Sequence, residues 1–400
     1  MQRLKGKKYF IEYKLAYTAI IILVYILGRN IPLHSVDVSA YKAASGNAEI
    51  MLMQAIGGDV NQYSLFALGL APLMISSLLM LIVMSCWKIR TKVKMSPKKM
   101  KDIQLILILI ISVFQALIRV QELRFDVIGK LLFTARITAA MEMVTGVMLV
   151  MWLTERNKKY GLGGQVVLIY INIIDGIMKT VMRYNTETLL PLCVSIVALF
   201  ATLIMEGSEL RIPMQRISIY NVYADKNYLA IKLNPVGVMP VMFSSAFFTL
   251  LKLIMSGLHW LFPESEAILR WQENLVLTNP VGIGTYIAIL YFLTIGFAMI
   301  IISPGEIAEQ LLKSGDSIMN LHAGRETRKY LTGKLCIISF FSATVMSVCL
   351  GIPMILQLTG DINGELVMFP VSVMMLTGLW YNLYQEFKTV KSYEAYRPFI

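Results

Sequence analysis

The chain has 400 residues, of which 56% are hydrophobic and only 16% charged, and it carries a formal charge of +12. Soluble domains hold about 25% charged residues and roughly 20 apolar residues cross a bilayer. The composition therefore excludes a water-soluble globular protein and predicts an integral membrane protein. The four cysteines, Cys86, Cys193, Cys336 and Cys349, lie far apart without metal-ligand spacing and read as small apolar residues. No metal and no cofactor are expected.

In chain order, the basic start MQRLKGKKYFIEYK turns apolar near Leu15, and the run stops over Gly28 to Pro32. No small-residue cleavage site follows, so this is an uncleaved first span rather than a signal peptide. With it, stretches near 15–33, 65–87, 103–123, 134–153, 165–183, 188–206, 237–258, 282–302, 334–357 and 366–385 predict an all-α polytopic protein of ten transmembrane helices. Of the 37 Lys and Arg, 27 fall in the N-terminal segment, the alternate loops that share its side, and the C-terminal tail. That side, with both termini, is expected in the cytosol. The basic excess is thus an orientation signal. Nucleic-acid binding is not expected, because no aromatic-interleaved basic domain exists.

The second stretch contains GLAPLMISS at 69–77, and the seventh contains GVMPVMFSS at 237–245. Gly69, Pro72, Met74, Ser76 and Ser77 match Gly237, Pro240, Met242, Ser244 and Ser245. The two stretches run in opposite directions at equivalent places in two five-helix halves, 1–187 and 188–400. Inverted-topology repeats have this form and hold the functional site between the halves. Gly and Pro free backbone groups inside a membrane helix, and serines bond across helix contacts. A helix with both suits an interface that opens and recloses; static packing by small residues would use the same composition.

Within the spans, Asp175 and Lys179 stand four apart and are placed to pair. Glu142 and Gln115 sit mid-span in the fourth and third, and Lys252 is placed to snorkel outward from the seventh. An intramembrane carboxylate is a candidate coupling group or a buried contact between helices. H-E-x-x-H, G-x-S-x-G and phosphate-loop motifs are absent. No enzymatic activity is expected, and uphill work would come from a gradient or a partner. After span eight, Ser303 is expected to cap a short helix with Pro304 at its first position, Glu306 completing a capping box and Gly315 ending it. Ile307, Ala308, Leu311 and Leu312 form its apolar side. A basic tip follows at Arg325, Arg328 and Lys329, and the segment 207–236 forms a second long loop on the same side.

These pieces together resemble the SecY family, the pore subunit of the general protein-conducting channel. YSLFALGLAPLMISSLLM resembles its second span, YLAIKLNPVGVMPVMFSSAFF the strand-like approach to its seventh, and SPGEIAEQLLKSGDSI with HAGRETRKYL the exit of its eighth and the loop beyond. The resemblance covers nearly the whole chain. It implies that spans two and seven face each other as a lateral gate, with Ser76, Ser77, Gln115, Ser244 and Ser245 on it. Gly and Pro would permit bending there, and the serines would form a weak seam. It implies a plug within 34–62 and a narrow apolar ring at Met74, Leu78, Val166, Tyr170, Met242 and Met374, of the kind that passes a polypeptide but blocks ions by dewetting.

The loop after span eight carries His322-Ala323-Gly324 where the family usually has Arg-Pro-Gly; the chain is short, and its 26 methionines are many. These departures resemble the accessory branch of Gram-positive bacteria. That branch implies export of large Ser-rich glycosylated adhesins through the cytoplasmic membrane. It also implies an accessory SecA-type ATPase, docking at Arg211, Arg216, His322, Arg325, Arg328 and Lys329, and small SecE-like or accessory membrane subunits. The partners are then the motor, those subunits, the secreted polypeptide and membrane lipid. The alternative is an inverted-repeat secondary transporter coupled through Asp175 or Glu142.

Overall fold

The computed structural model describes residues 10–37, 63–91, 96–125, 130–183, 189–216, 228–261, 265–277, 279–319, 321–358 and 364–396. Ten long helices occupy the expected places: α1 (Phe10–Arg29), α2 (Ala71–Thr91), α3 (Pro97–Glu122), α4 (Lys130–Tyr160), α5 (Val166–Arg183), α6 (Leu189–Gly207), α7 (Met239–Leu261), α9 (Pro280–Ile302), α11 (Arg325–Leu358) and α13 (Phe369–Tyr396). Between them lie the short helices α8 (Glu266–Asn274), α10 (Pro304–Ser314) and α12 (Gly364–Val367). Of the expected plug, only 34–37 is described; 38–62 lies outside the described residues.

Helix α2 packs between α3 and α7, α4 against α1 and α3, α5 against α13, and α11 against α9 and α6. One buried cluster runs through these contacts. Large apolar side chains such as Ile106, Leu117, Val197, Phe200 and Phe292 stay exposed on the outer faces. In a membrane protein that is the lipid side, where outward burial is supplied by acyl chains. Among the described residues, six helices are apolar enough by length and composition to span a bilayer by themselves. Helix α5 is not one of them, because its 18 residues carry three charges, Asp175, Lys179 and Arg183.

The repeated Gly–Pro pattern is helix-start chemistry. Gly69 (φ 54°) and Gly237 (φ 71°) adopt left-handed backbone two residues before α2 and α7 begin, a conformation that costs glycine little. Pro72 and Pro240 fall in the first turn, where a missing N–H breaks no helical bond. The expectation that they permit bending within the spans is therefore corrected: they open the helices. The two starts share two bonds at equivalent places: Gly69 donates to Phe66 O (2.7 Å) as Gly237 does to Asn234 O (3.4 Å), and Met74 donates to Leu70 O (3.0 Å) as Met242 does to Val238 O (3.3 Å).

The link between α4 and α5 is fastened by one buried amide. Asn157 donates through Nδ2 to Leu162 O (2.9 Å) and Gly164 O (2.8 Å) and accepts Thr18 Oγ1 of α1 (3.1 Å). Leu162 N–H donates to that same hydroxyl at 2.9 Å. Gly163, in left-handed backbone, donates to the Glu386 carboxylate of α13 at 3.2 Å.

Two long loops carry structure that an all-helical reading omits. Strands β1 (Glu209–Arg216), β2 (Tyr228–Lys232) and β3 (Asp316–Ile318) form a sheet in the order β2-β1-β3. Both pairings are antiparallel, with Met214 opposite Ile318 and Arg216 opposite Asp316. The loop before α7 is thereby joined to the loop after α10. The capping box at Ser303 does not form. Its N–H closes α9 on Met299 O (3.2 Å), its backbone is left-handed, and Oγ donates back to Ile300 O at 2.7 Å. One residue that ends a helix and begins the next has no freedom left to cap. Gly315 ends α10 as expected, in left-handed backbone with its N–H on Leu311 O and Leu312 O. The buried side of α10 is Pro304, Ala308 and Leu311, while Leu312 is exposed.

Asn157→Ala would strand buried carbonyls and a hydroxyl, and each unsatisfied group costs about 1–3 kcal/mol. Thermal unfolding in detergent should drop by several degrees for this variant and stay unchanged for Lys388→Ala, an exposed lysine on α13. An Asn157→Ala melt equal to wild type would contradict the role of the amide.

Candidate functional site

The site is built where α2 and α7 start. Each start is seated on the first and fourth helix of its own half. For α2, Leu33 donates to Tyr63 O (2.8 Å) and Leu65 to Ile31 O (2.9 Å), just past the end of α1. Phe66 lies on Gly28 of α1, and Leu65 O lies on Gly146 of α4, where an added Cβ would collide with each. For α7, Asn234 takes the equivalent place with polar bonds. Its Nδ2 donates to Glu206 Oε1 of α6 at 3.1 Å, and Ser342 Oγ of α11 donates to its Oδ1 at 3.1 Å. Its N–H reaches Met205 O at 3.3 Å, and its carbonyl accepts Gly237 N–H at 3.4 Å.

Met74 and Met242 fall in the first turns so seated. They are buried, as are Leu78 and Met374, and all four belong to the central cluster, with Val166 and Tyr170 packed against it. Gln165 Nε2 approaches Met74 Sδ at 4.0 Å. The Tyr170 ring lies 6.2 Å from that of Trp380 on α13.

The serines do not stitch α2 to α7. Ser76 and Ser77 donate to Leu73 O and Met74 O at 2.9 and 2.8 Å. Ser244 and Ser245 both turn back to Val241 O, at 2.8 and 3.1 Å. A hydroxyl next to its own helix carbonyl satisfies itself there, which leaves apolar contact between the two helices. The exception is Ser245, whose Oγ lies 3.0 Å from Tyr286 Oη on α9. Gln115 is buried on α3 with Oε1 lacking a hydrogen-bond partner; beside it, Phe114 meets Gly257 of α7.

The intramembrane charges are held. Arg29, buried at the end of α1, bonds Asp175 at 2.7 Å, and Lys179 bonds the same carboxylate at 3.0 Å. Glu142 Oε2 accepts His34 N–H at 3.0 Å, and Lys252 lies over the Phe248 ring at 5.6 Å. A cavity of about 440 Å³ opens beside α2, lined by Leu73, Ser77, Gln104, Met151, Thr154 and Lys158 among others, with the Lys101–Glu155 pair (3.0 Å) at its edge. No group of His, Cys, Asp and Glu suited to a metal occurs among the described residues.

The expected docking residues sit on the two loops that the sheet joins. Arg211 and Arg216 lie on β1; Arg211 is exposed and stacks over Tyr228 at 4.7 Å. The side chain of Arg216 is outside the described set. Arg325, Arg328 and Lys329 are exposed at the start of α11, and His322 Nδ1 stands 3.2 Å from Glu326 Oε2. Sequence reasoning missed Asn157, Asn234 and Glu206. Asn234 offered one signal, as a polar residue before Pro235 and the repeat glycine.

The sequence pattern that defines the SecY family matches residues 64–383. The chain belongs to the SecY family. It is 28% identical to the accessory Sec system protein translocase subunit SecY2 of Leuconostoc gelidum subsp. gasicomitatum over 96% of this chain and 95% of that protein. It is 29% identical to the protein of the same description from Staphylococcus aureus, over 100% and 99%. A solved structure described as a protein conducting channel shares the fold at TM-score 0.70 and 16% identity, covering 97% of this chain and 94% of that one. Sec61 in the canine ribosome-channel complex matches at TM-score 0.65 and 17% identity, with the same coverage.

Within this SecY fold, Asp175 is expected to be structural. Asp175→Asn and Arg29→Met should each lower stability by about 1–3 kcal/mol; the figure lies below that for a fully enclosed pair because the aspartate side chain is 31% exposed. Replacing both by Leu and Met should recover much of the loss in a thermal melt. An Asp175→Asn protein of unchanged stability that loses all transport would make the carboxylate a coupling group instead.

Proposed function

We propose that the chain is the pore-forming subunit of a protein translocation channel in an accessory Sec system. It exports unfolded polypeptides, large Ser-rich glycosylated adhesins among them, across the cytoplasmic membrane, with both termini cytosolic. The two halves, 1–187 and 188–400, are inverted repeats, and α2 and α7 are the facing walls of a lateral gate. The observation that carries the reading is the pair of like helix starts at Gly69 and Gly237, each seated on the first and fourth helix of its half. Family membership and the accessory relatives support it.

A chain-conducting pore must close around varied side chains and still exclude ions. Met74, Leu78, Val166, Tyr170, Met242 and Met374 form the constriction in this reading. An apolar neck that dewets is a barrier to ions, and unbranched methionine adapts to what passes. Tyr170 narrows the neck and is braced by Trp380. Packing without serine bonds across α2 and α7 suits walls that separate: apolar surface leaving a partner for lipid or a signal segment strands no polar group, since each serine keeps its own carbonyl. The transporter alternative is weakened because Asp175 is bound to Arg29 and Lys179, and Glu142 holds a backbone N–H. Work comes from a SecA-type ATPase, with small SecE-like or accessory subunits completing the channel.

Replacing Met74 and Met242 together by Gly should give a wetted constriction that leaks ions at rest. Planar-bilayer recording of the purified chain checks this, and a silent double variant would remove these residues from the barrier.

Exposed charges mainly set encounter and specificity, so no single docking residue should be decisive. Binding of accessory and housekeeping SecA-type motors to membranes should respond differently to two changes. Arg325→Glu with Arg328→Glu should weaken the accessory motor several-fold. His322→Arg puts a fixed, planar cation at this position and should move preference toward the housekeeping motor. Equal binding in all cases would exclude this surface.

A further inference from the structure

The two gate helices are seated by different physics. The start of α2 is pinned by bulk, with Phe66 and Leu65 O pressed onto Gly28 and Gly146. The start of α7 hangs on one buried polar node. Asn234 is 1% exposed and Glu206 2%, and the amide spans from α6 to α11 through Glu206 and Ser342. Glu206 Oε2 is met by Lys232 Nζ at 3.9 Å, and that ammonium lies 5.1 Å over the Tyr381 ring of α13. An added Cβ on Gly237 would come within 3.0 Å of Glu206 Oε1, so the left-handed turn and the carboxylate fit only each other. A buried carboxyl group is costly unless it is bonded, and here its two oxygens are met by Asn234 Nδ2 and Lys232 Nζ. The node is thus a stiff point at the foot of a helix that, among the described residues, makes no hydrogen bond to α2 through its repeat serines.

We propose that Glu206 is a positioning residue for α7. Its carboxylate fixes Asn234 and, through the Asn234–Gly237 turn, the resting seat of the helix, so that departure of α7 from α2 requires this node to be broken or carried along. The proposal rests on the reading of α7 as a gate wall. It assigns the closed state to a polar latch at the foot of the helix in addition to the packing of the gate surfaces.

Resting ion conductance of the full-length chain in planar bilayers tests it. Glu206→Ala should raise the frequency of resting openings roughly tenfold, the scale of one buried hydrogen bond. Glu206→Gln keeps an oxygen that accepts Asn234 Nδ2 and should return to near wild type. Asn234→Ala should leak at least as much as Glu206→Ala, and the double variant less than the sum of the two, because both remove the shared Glu206–Asn234 bond. Should Glu206→Ala not accumulate, a quiet Glu206→Gln beside a leaky Asn234→Ala supports the latch, and equal behaviour of the two overturns it. Strictly additive effects, or wild-type conductance in both alanine variants, also overturn it. The Met74→Gly/Met242→Gly protein separates the two claims. If it leaks while the latch variants are silent, the latch alone fails. If it is silent too, the channel reading fails and the latch with it.

Discussion

Two long helices of opposite direction begin inside this protein, and their first N–H groups have no water to turn to. A helix start leaves four donors unpaired, and in a membrane interior each must find a partner within the protein. Both starts solve the problem in the same way. A proline in the first turn removes one donor, a left-handed glycine two residues before the helix bends the chain, and the carbonyls of the turn take the donors that remain. Because Leu68, Leu70, Ala71, Val238 and Val241 are buried, the turns need firm seats, and the first and fourth helices of each half provide them. The likeness of the two starts is thus a solution to one hydrogen-bonding constraint, seated once by packing on glycine and once by the Asn234 bonds.

At the end of the bundle that bears the long loops, the same economy holds the connections together. Asn157 ties the α4–α5 link to α1, Glu386 reaches that link from α13, and Lys232 meets the Tyr381 ring on α13. The three-stranded sheet joins the 207–236 and 303–333 loops, so residues distant in sequence share one surface. Under the proposed docking of a motor, such a surface would receive repeated mechanical input and must not yield locally. Strand pairing across two loops distributes a load in a way that two independent loops do not. The exposed Arg211, Arg325, Arg328 and Lys329 stand on this braced part rather than on free tips.

The spans were legible because each is a long apolar run with charged or Gly/Pro ends, a signal local in sequence. The repeat was legible as residues but not as roles. Gly69 and Gly237 look the same whether they hinge a helix or open one, and only the left-handed φ distinguishes the two. Ser76 and Ser244 carry the same hydroxyl whether it crosses to a neighbour or returns to its own helix. The strand-like approach YLAIK was legible through the family resemblance and is β2, but its pairing was hidden, because β1 also joins β3 about a hundred residues away, where periodicity carries no information. Ser303 has the sequence of a cap, but the preceding helix had already claimed its backbone. Asp175 was read correctly as a partner of Lys179, while its stronger partner, Arg29, lies on another helix and left no local trace.

The position of the proposed constriction follows from the same constraint. Met74 and Met242 lie in the first turns of their helices, close to the seats. A residue near a pivot moves little when the body of a helix swings, whereas residues toward the far end move most. A ring built at two seated starts therefore holds its width through small excursions of α2 and α7, and widens only when a seat itself gives way. Glycine contacts on the α2 side cannot stretch without loss of packing, but a hydrogen-bonded node can exchange partners. The asymmetry between the two seats thus gives the ring one fixed jaw and one that can be released.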